Sequence, residues 1–513
     1  MPHALPRRTR RLALAGAVLA VAAVPVAVIG PVLAGTGPTV ALNSHQDVSR
    51  PLRELAGAAP APAATRMSPP AVNFAGMSLG AQHVGAPTDA NGAIGATAYV
   101  QSMNTQYAVY SRTGKLLLGP VKTNTLWKGF GGPCETHNDG DPVVLYDHLA
   151  NRWVQSQFAL PGSPPFYQCV AVSTSGDPTG TWYRYAFATS RTDWNDYAKL
   201  SVWPDGYYLS ANLFDGIVGG TDGRAAIVFE RAKMLQGKPA RLIVKHLPDV
   251  SNEPQLLPAD LDGAKLPPAG APDPYAGVDE IHHSIVLYRF HTDWGTPSKS
   301  TFTGPVTLSA APYSTLDGCD PCAPQPGTST RLTTLPGLSM FRLAYRNFGD
   351  HEALVFNHAV DADPGKAVRP GIRWYEIRGV SGTPKLFQQG TFAPDTDSRF
   401  DASVAMDRFG DLAAGYTVSG THTFPSIRYA GRLPTDPAGT LARGEASIVA
   451  GTGSQTSPRW GDYSDLTLDP LDDCTFWYTN VYLAKTGTTR NSRIAAFRFP
   501  ACQAAHALDE STQ

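Results

Sequence analysis

A chain of 513 residues with only 17% charged side chains and a formal net charge of −1 has no basic surplus with which to displace counterions from a phosphate backbone, which excludes nucleic acid as a partner. Its 49 glycines and 44 prolines supply many turns, and 42% hydrophobic residues are ample for a folded core. Six cysteines suit an exported protein.

At the amino terminus Arg7, Arg8, Arg10 and Arg11 precede an apolar run, 12–34, that closes on Val32-Leu33-Ala34 before Gly35. This pattern predicts a signal peptide over 1–34, cleaved after Ala34, and a secreted, periplasmic or cell-envelope location. Membrane attachment is expected only if that segment stays uncleaved. Residues 35–70, rich in Ala and Pro, read as a flexible leader. A single β domain is expected over 71–502, followed by a tail over 503–513.

Within that domain, helical periodicity is nearly absent. Short alternating runs bounded by Gly, Pro, Asn and Asp predict many short strands. The segments 193–214 (DWNDYAKLSVWPDGYYLSANLF) and 459–483 (RWGDYSDLTLDPLDDCTFWYTNVYL) are near copies: an aromatic residue two positions before Asp-Tyr, a strand, a turn and an aromatic-rich strand. Weaker echoes stand at 139–158, 346–360 and 399–418. Such a unit cannot bury its apolar face alone and must stack on its neighbours.

Seven units are expected, through 93–118, 140–187, 196–246, a fourth interrupted by a loop at 258–277, then 342–392, 401–449 and 462–499. The last shows three clear strands, so the strand Val72–Leu79 is expected to complete it and close the ring. The fold class is therefore all-β, a propeller of seven four-stranded blades; six blades and a pair of β-sandwiches are the alternatives.

Cysteine positions favour Cys134–Cys169 and Cys474–Cys502, each bracketing a strand pair, and Cys319–Cys322 as a loop disulfide, among the fifteen pairings that six cysteines allow. Asp139 and Asp141 flank Gly140 and form a calcium candidate that lacks the length and terminal Glu of an EF-hand loop. No other cofactor is expected. The histidines near Glu280 and at His351 and His358 lack HExxH spacing for zinc.

If the first strands begin at one end of a channel, residues at that offset converge there. The candidates are Asp139, Asp141, Asp196, Tyr197, Asp350, His351, Glu352, Asp401, Asp462 and Tyr463, with Arg346, Arg399 and Arg459 as anchors. An Asp recurring at one offset also caps strand ends, and an Arg beside it pairs with it, so structural roles compete with ligand binding for every one of them.

One further motif carries a resemblance. Ser175, Asp177, Thr181 and Trp182 stand at the positions of the Asp-box, with Gly180 one place late, and from about residue 71 to 502 the chain resembles secreted bacterial propellers of the sialidase-like superfamily. The resemblance implies an Asp-box at the blade periphery. It also implies that Arg346, Arg399 and Arg459 would supply an arginine triad, Glu352 with Tyr463 or Tyr197 a nucleophile pair, and Asp141 or Asp196 an acid.

The reading for function is a monomeric secreted propeller that binds extracellular glycan or protein at its channel mouth, with Glu352, His351, Asp141, Asp196 and Tyr463 as catalytic candidates and the remaining residues as ligand contacts. A sialidase-like glycoside hydrolase and a structural envelope protein are the alternatives.

Overall fold

A computed structural model describes residues 66–80, 87–216, 220–247, 255–316 and 318–503, all within one unit spanning 62–513. The expected signal peptide, most of the leader and all but the first residue of the tail lie outside the described residues. Among the described residues no helix is long and apolar enough to cross a membrane.

The chain opens with β1 (Val72–Leu79) and then lays down antiparallel groups of four. The first holds β2 (Asn91–Ile94), β3 (Ala98–Met103), β4 (Gln106–Ser111) and β5 (Leu116–Lys122). The second holds β6 (Gly140–Asp147), β7 (Arg152–Ala159), β8 (Phe166–Ser173) and β9 (Trp182–Ser190). The third holds β10 (Asp193–Trp203), β11 (Gly206–Asp215), β12 (Thr221–Phe229) and β13 (Leu242–Leu247).

The fourth consists of β14 (Leu257–Asp262), β15 (Asp273–Asp279), β16 (Ser284–His291) and β17 (Thr301–Ser309), and the fifth of β18 (Met340–Asn347), β19 (Glu352–Asp361), β20 (Pro370–Arg378) and β21 (Lys385–Phe392). The sixth has β22 (Ser398–Met406), β23 (Leu412–Ser419), β24 (Ser426–Arg432) and β25 (Glu445–Val449). The chain ends with β26 (Asp465–Leu468), β27 (Phe476–Tyr482) and β28 (Arg490–Phe497), and β1 joins this group as its fourth strand, pairing Val72 with Ala496 through Leu79 with Arg490.

These groups resemble propeller blades. Their first strands adjoin in the order β2, β6, β10, β14, β18, β22 and β26, and β26 adjoins β2 again. Groups four and five are joined into one sheet by parallel pairing of Ala259–Asp262 with Leu343–Arg346. The interrupting loop expected at 258–277 needs correction, because β14 and the start of β15 lie inside it. Their mutual pairing covers only Leu257 with Ala276 and Pro258 with Tyr275, so the prolines that suggested a loop sit in and beside strands whose other partners are elsewhere.

Between sheets the core is aromatic. Tyr207, Tyr208, Trp460, Trp477 and Tyr478 are all buried. The sheets press closely at Gly415, where a Cβ would stand 2.6 Å from the Tyr478 ring. Disulfides join Cys134 to Cys169, Cys319 to Cys322 and Cys474 to Cys502. The turn that holds Ser175, Asp177, Thr181 and Trp182 lies between β8 and β9. Asp177 accepts from Thr179 N at 2.9 Å and Thr179 Oγ1 at 2.7 Å, and the Trp182 indole donates to Pro178 O.

Because β1 covers the outer edge of β28 and buries Met77 and Leu79, deleting 66–80 is expected to leave an open edge that pairs between chains. Calorimetry should show a lower Tm and light scattering should show aggregation; an unchanged variant would mean that β1 contributes little.

Candidate functional site

The ends at which the first strands begin share a local distortion. Asp89, Asp141, Tyr197 and Asp401 have φ of 47°, 46°, 54° and 50°, the left-handed region. Register shifts fall at this point in the pairings of β6 (Gly140/Val143), β10 (Asp196/Lys199) and β22 (Phe400/Ser403). A bulge re-aims the side chains beside it. Asp tolerates the left-handed turn through its short polar side chain, whereas Tyr197 holds it at a cost of about 1–3 kcal/mol.

Asp89, Asp141, Asp196, Tyr197, Lys199, Asp401, Arg459, Asp462 and Tyr463 come together at this end. The Asp141 carboxylate accepts from Tyr197 N at 2.9 Å and from the Tyr463 hydroxyl at 3.1 Å, and Tyr463 also reaches Ala198 O at 2.9 Å. Asp89 accepts from Asn104 Nδ2 and from Asp462 N, and Arg459 holds Asp462 at 2.8 Å. Lys199 is fully buried, with Nζ 3.1 Å and 3.0 Å from the ring centroids of Tyr197 and Tyr463, a cation–π sandwich that gives it no hydrogen bond.

Charge is crowded here. Burial, followed by Asp196, pushes Asp141 up to about 7, while burial pulls Lys199 down to about 7 against the pull of Asp141 and Asp462. Burial also holds Asp89 and Asp401 well above the usual carboxylate range and raises Asp196.

The long segment 310–339 folds against the same end. Thr333 N donates to Pro458 O and Trp460 N to Thr333 Oγ1, Asp320 accepts from Thr334 N at 2.8 Å, and Leu335 packs into the cluster that contains Tyr197 and Tyr463. Asp196 and Arg459 are the half-buried members that face solvent; the others are buried.

Other candidates are not brought here. Glu352 opens the second strand of its group, β19, rather than the first, so it lies at the far end of β18. There it accepts from the Tyr345 hydroxyl at 2.6 Å, Ser381 N at 2.9 Å and Ser381 Oγ at 2.6 Å. His351 in the same turn stacks on Phe348 and contacts Asp350 at 2.8 Å. Arg346, near the end of β18, forks onto Asp473 at 2.8 and 2.6 Å. Arg399 starts β22 but turns outward, clamped between Asp395 and Glu445 of β25. The three arginines therefore do not converge.

Asp139 and Asp141 part company as well. Asp139 accepts from Leu160 N at 2.6 Å, while Asp141 faces Tyr197 and Tyr463. Among the described residues, the one grouping of three metal-type donors within 4.8 Å is Asp472, Cys474 and Cys502, which could coordinate a metal through an acid and two thiolates. In the disulfide form both sulfurs are committed and Asp472 caps its own turn, and nothing in the set selects calcium.

Two members of the cluster escape the repeat argument. Lys199 is legible only as a lysine on an otherwise apolar strand (AKLSVW), and Asp89 sits ahead of the short β2 with no Asp-Tyr signature.

No family model matches the chain, and no curated protein matches it. Among solved structures it is similar to an endo-arabinase from Bacteroides thetaiotaomicron VPI-5482, at 16% identity over 58% of this chain and 95% of that one, with a TM-score of 0.29. It is similar to a Trypanosoma rangeli sialidase in complex with sialic acid at 12% identity, 69% and 53% coverage and a TM-score of 0.35. An α-L-arabinofuranosidase from Fusarium graminearum gives 10% identity, 70% and 91% coverage and a TM-score of 0.35. Likenesses this loose say nothing about chemistry.

Proposed function

We propose that the chain is an exported, monomeric, seven-bladed β-propeller, closed by its amino-terminal strand, that binds an extracellular glycan at the end where its first strands begin. The domain spans 71–502 behind a cleaved signal peptide. Asp196 and Arg459 would meet the ligand's hydroxyls as acceptor and donor, backed by Asp462, while Asp141, Asp401, Tyr197, Tyr463 and Lys199 hold the floor.

The observation that carries this reading is the fate of the arginines: Arg346, Arg399 and Arg459 are each neutralised by a carboxylate in a different place, which leaves no shared clamp for an anionic sugar. A hydrolase is the second reading, favoured by the Tyr463–Asp141 hydrogen bond at 3.1 Å, a tyrosine–carboxylate pair. Full burial of Tyr463 disfavours it, since a nucleophile must meet substrate.

A glycan array probed with the purified protein should show retention on a restricted set of polysaccharides. Asp196→Ala and Arg459→Ala should each weaken retention by about tenfold or more while Tm is kept, equivalent to about 1.4 kcal/mol. Unchanged retention in both variants, or no glycan retained, would contradict the proposal.

A further inference from the structure

The opposite end, where the first strands finish, holds a cavity of about 380 Å³ lined by residues of β2, β6, β14 and β26 and the loops that follow. This is within the range of small-molecule sites. Ile94, Leu145, Leu261 and Leu468, one from each of these four strands, contribute apolar surface around it, and Leu471, which also lines it, is 64% exposed.

Acidic groups line the cavity between these apolar ones. Asp260, Asp262, Asp469 and Asp473 line it, together with the buried Arg342. Arg342 donates to Asp260 at 3.1 Å, to both oxygens of Asp262 at 2.9 and 2.7 Å, and to Leu466 O, and stands 3.9 Å from Asp465. Asp469 is paired with Arg112 and Asp473 with Arg346. Three carboxylates thus share one guanidinium. Asp260 and Asp262 on the cavity answer to the single cation Arg342, which leaves one carboxylate charge unmatched there when both are ionised.

A second observation points into the same space. Thr467 lines the cavity, is 8% exposed, and its hydroxyl has no hydrogen-bond partner. A buried orphan hydroxyl is costly unless something satisfies it.

We infer that this cavity is a second ligand site, for a small organic cation: an ammonium group set against Asp260 and Asp262, a hydroxyl or amine reaching Thr467, and a short body against the apolar lining that includes Leu471. An anion is disfavoured because the guanidinium donors already face carboxylates, and a bare metal ion would leave that apolar lining uncovered.

Cadaverine and glucosamine are the ammonium probes, with 1,5-pentanediol and glucose as their neutral counterparts, titrated calorimetrically into the full chain. Saturable binding of one or both ammonium compounds is expected, at least about tenfold tighter than its neutral counterpart. Preference for cadaverine would mark an alkyl amine as the natural class and preference for glucosamine an amino sugar.

Leu471→Lys puts a cation at the exposed lip without touching the core and should abolish binding; Thr467→Val should weaken it severalfold. Equal binding of charged and neutral compounds, binding unaffected by Leu471→Lys in a folded variant, or no binding at millimolar concentration would overturn the inference.

Discussion

Replacing Arg342 with methionine is expected to remove about 3–5 kcal/mol of stability at pH 7, the loss typical when one partner of a buried ion pair is deleted and the other is left behind. Arg342 is 1% exposed and is the cation to which Asp260 and Asp262 are hydrogen-bonded and near which Asp465 is buried. The same residue ties β18 to β14 and to Leu466 of β26, so the loss also removes a side-chain link between groups four, five and seven. Asp260 is held near 6 with Arg342 lowering it, so without the guanidinium it should titrate higher still. Urea denaturation should therefore show a smaller deficit at pH 5 than at pH 7, and an equal deficit at both would mean that packing rather than charge dominates.

Lys199→Met is expected to show a deficit that grows with pH, small near pH 5 and larger by about 1.4 kcal/mol for each pH unit above 7 from the lysine alone. Lys199 has its folded value depressed to about 7, so the stability it contributes is present above its unfolded value and lost as pH falls through about 7. Asp141 works the other way: its folded value is raised to about 7, so its contribution is present below its unfolded value and lost as pH rises through about 7.

Removing the lysine deletes the first contribution. It also raises Asp89, Asp141, Asp196 and Asp401 further, because Lys199 lowers each of them. Both changes act in one direction, against the variant as pH rises. Thermal melts of wild type and variant from pH 5 to 8 check this, and a deficit that shrinks with pH would refute the charge arrangement.

Much of the architecture was legible because the 193–214 and 459–483 segments place the same Asp-Tyr entry and hairpin at the same offset, and because the three-strand last group called for an outside strand. Asp141, Asp196, Tyr197, Asp401, Arg459, Asp462 and Tyr463 do meet at one end.

The fifth group misled the alignment. Arg346–Asp350 (RNFGD) resembles Arg459–Asp462 (RWGD) in letters, but Arg346 is already near the end of a first strand that began at Met340, so its Gly-Asp makes the turn into β19. Six residues of strand ahead of a similar motif move it to the opposite end of the sheet. Arg399 shows the period-2 problem: one step along β22, Phe400 enters the core while Arg399 faces the outer strand. Lys199 was hidden because its partners are two tyrosine faces, a contact with no sequence spacing.

Binding without turnover at the strand-start end is tested most directly by incubating the full chain with a glycan it retains and counting new reducing ends over hours, beside Asp196→Asn and Tyr463→Phe. The expected result is retention with no release of sugar by wild type, and weaker retention in Asp196→Asn. Sustained release that disappears in Tyr463→Phe while the fold is kept would contradict it and establish a hydrolase built on the Tyr463–Asp141 pair.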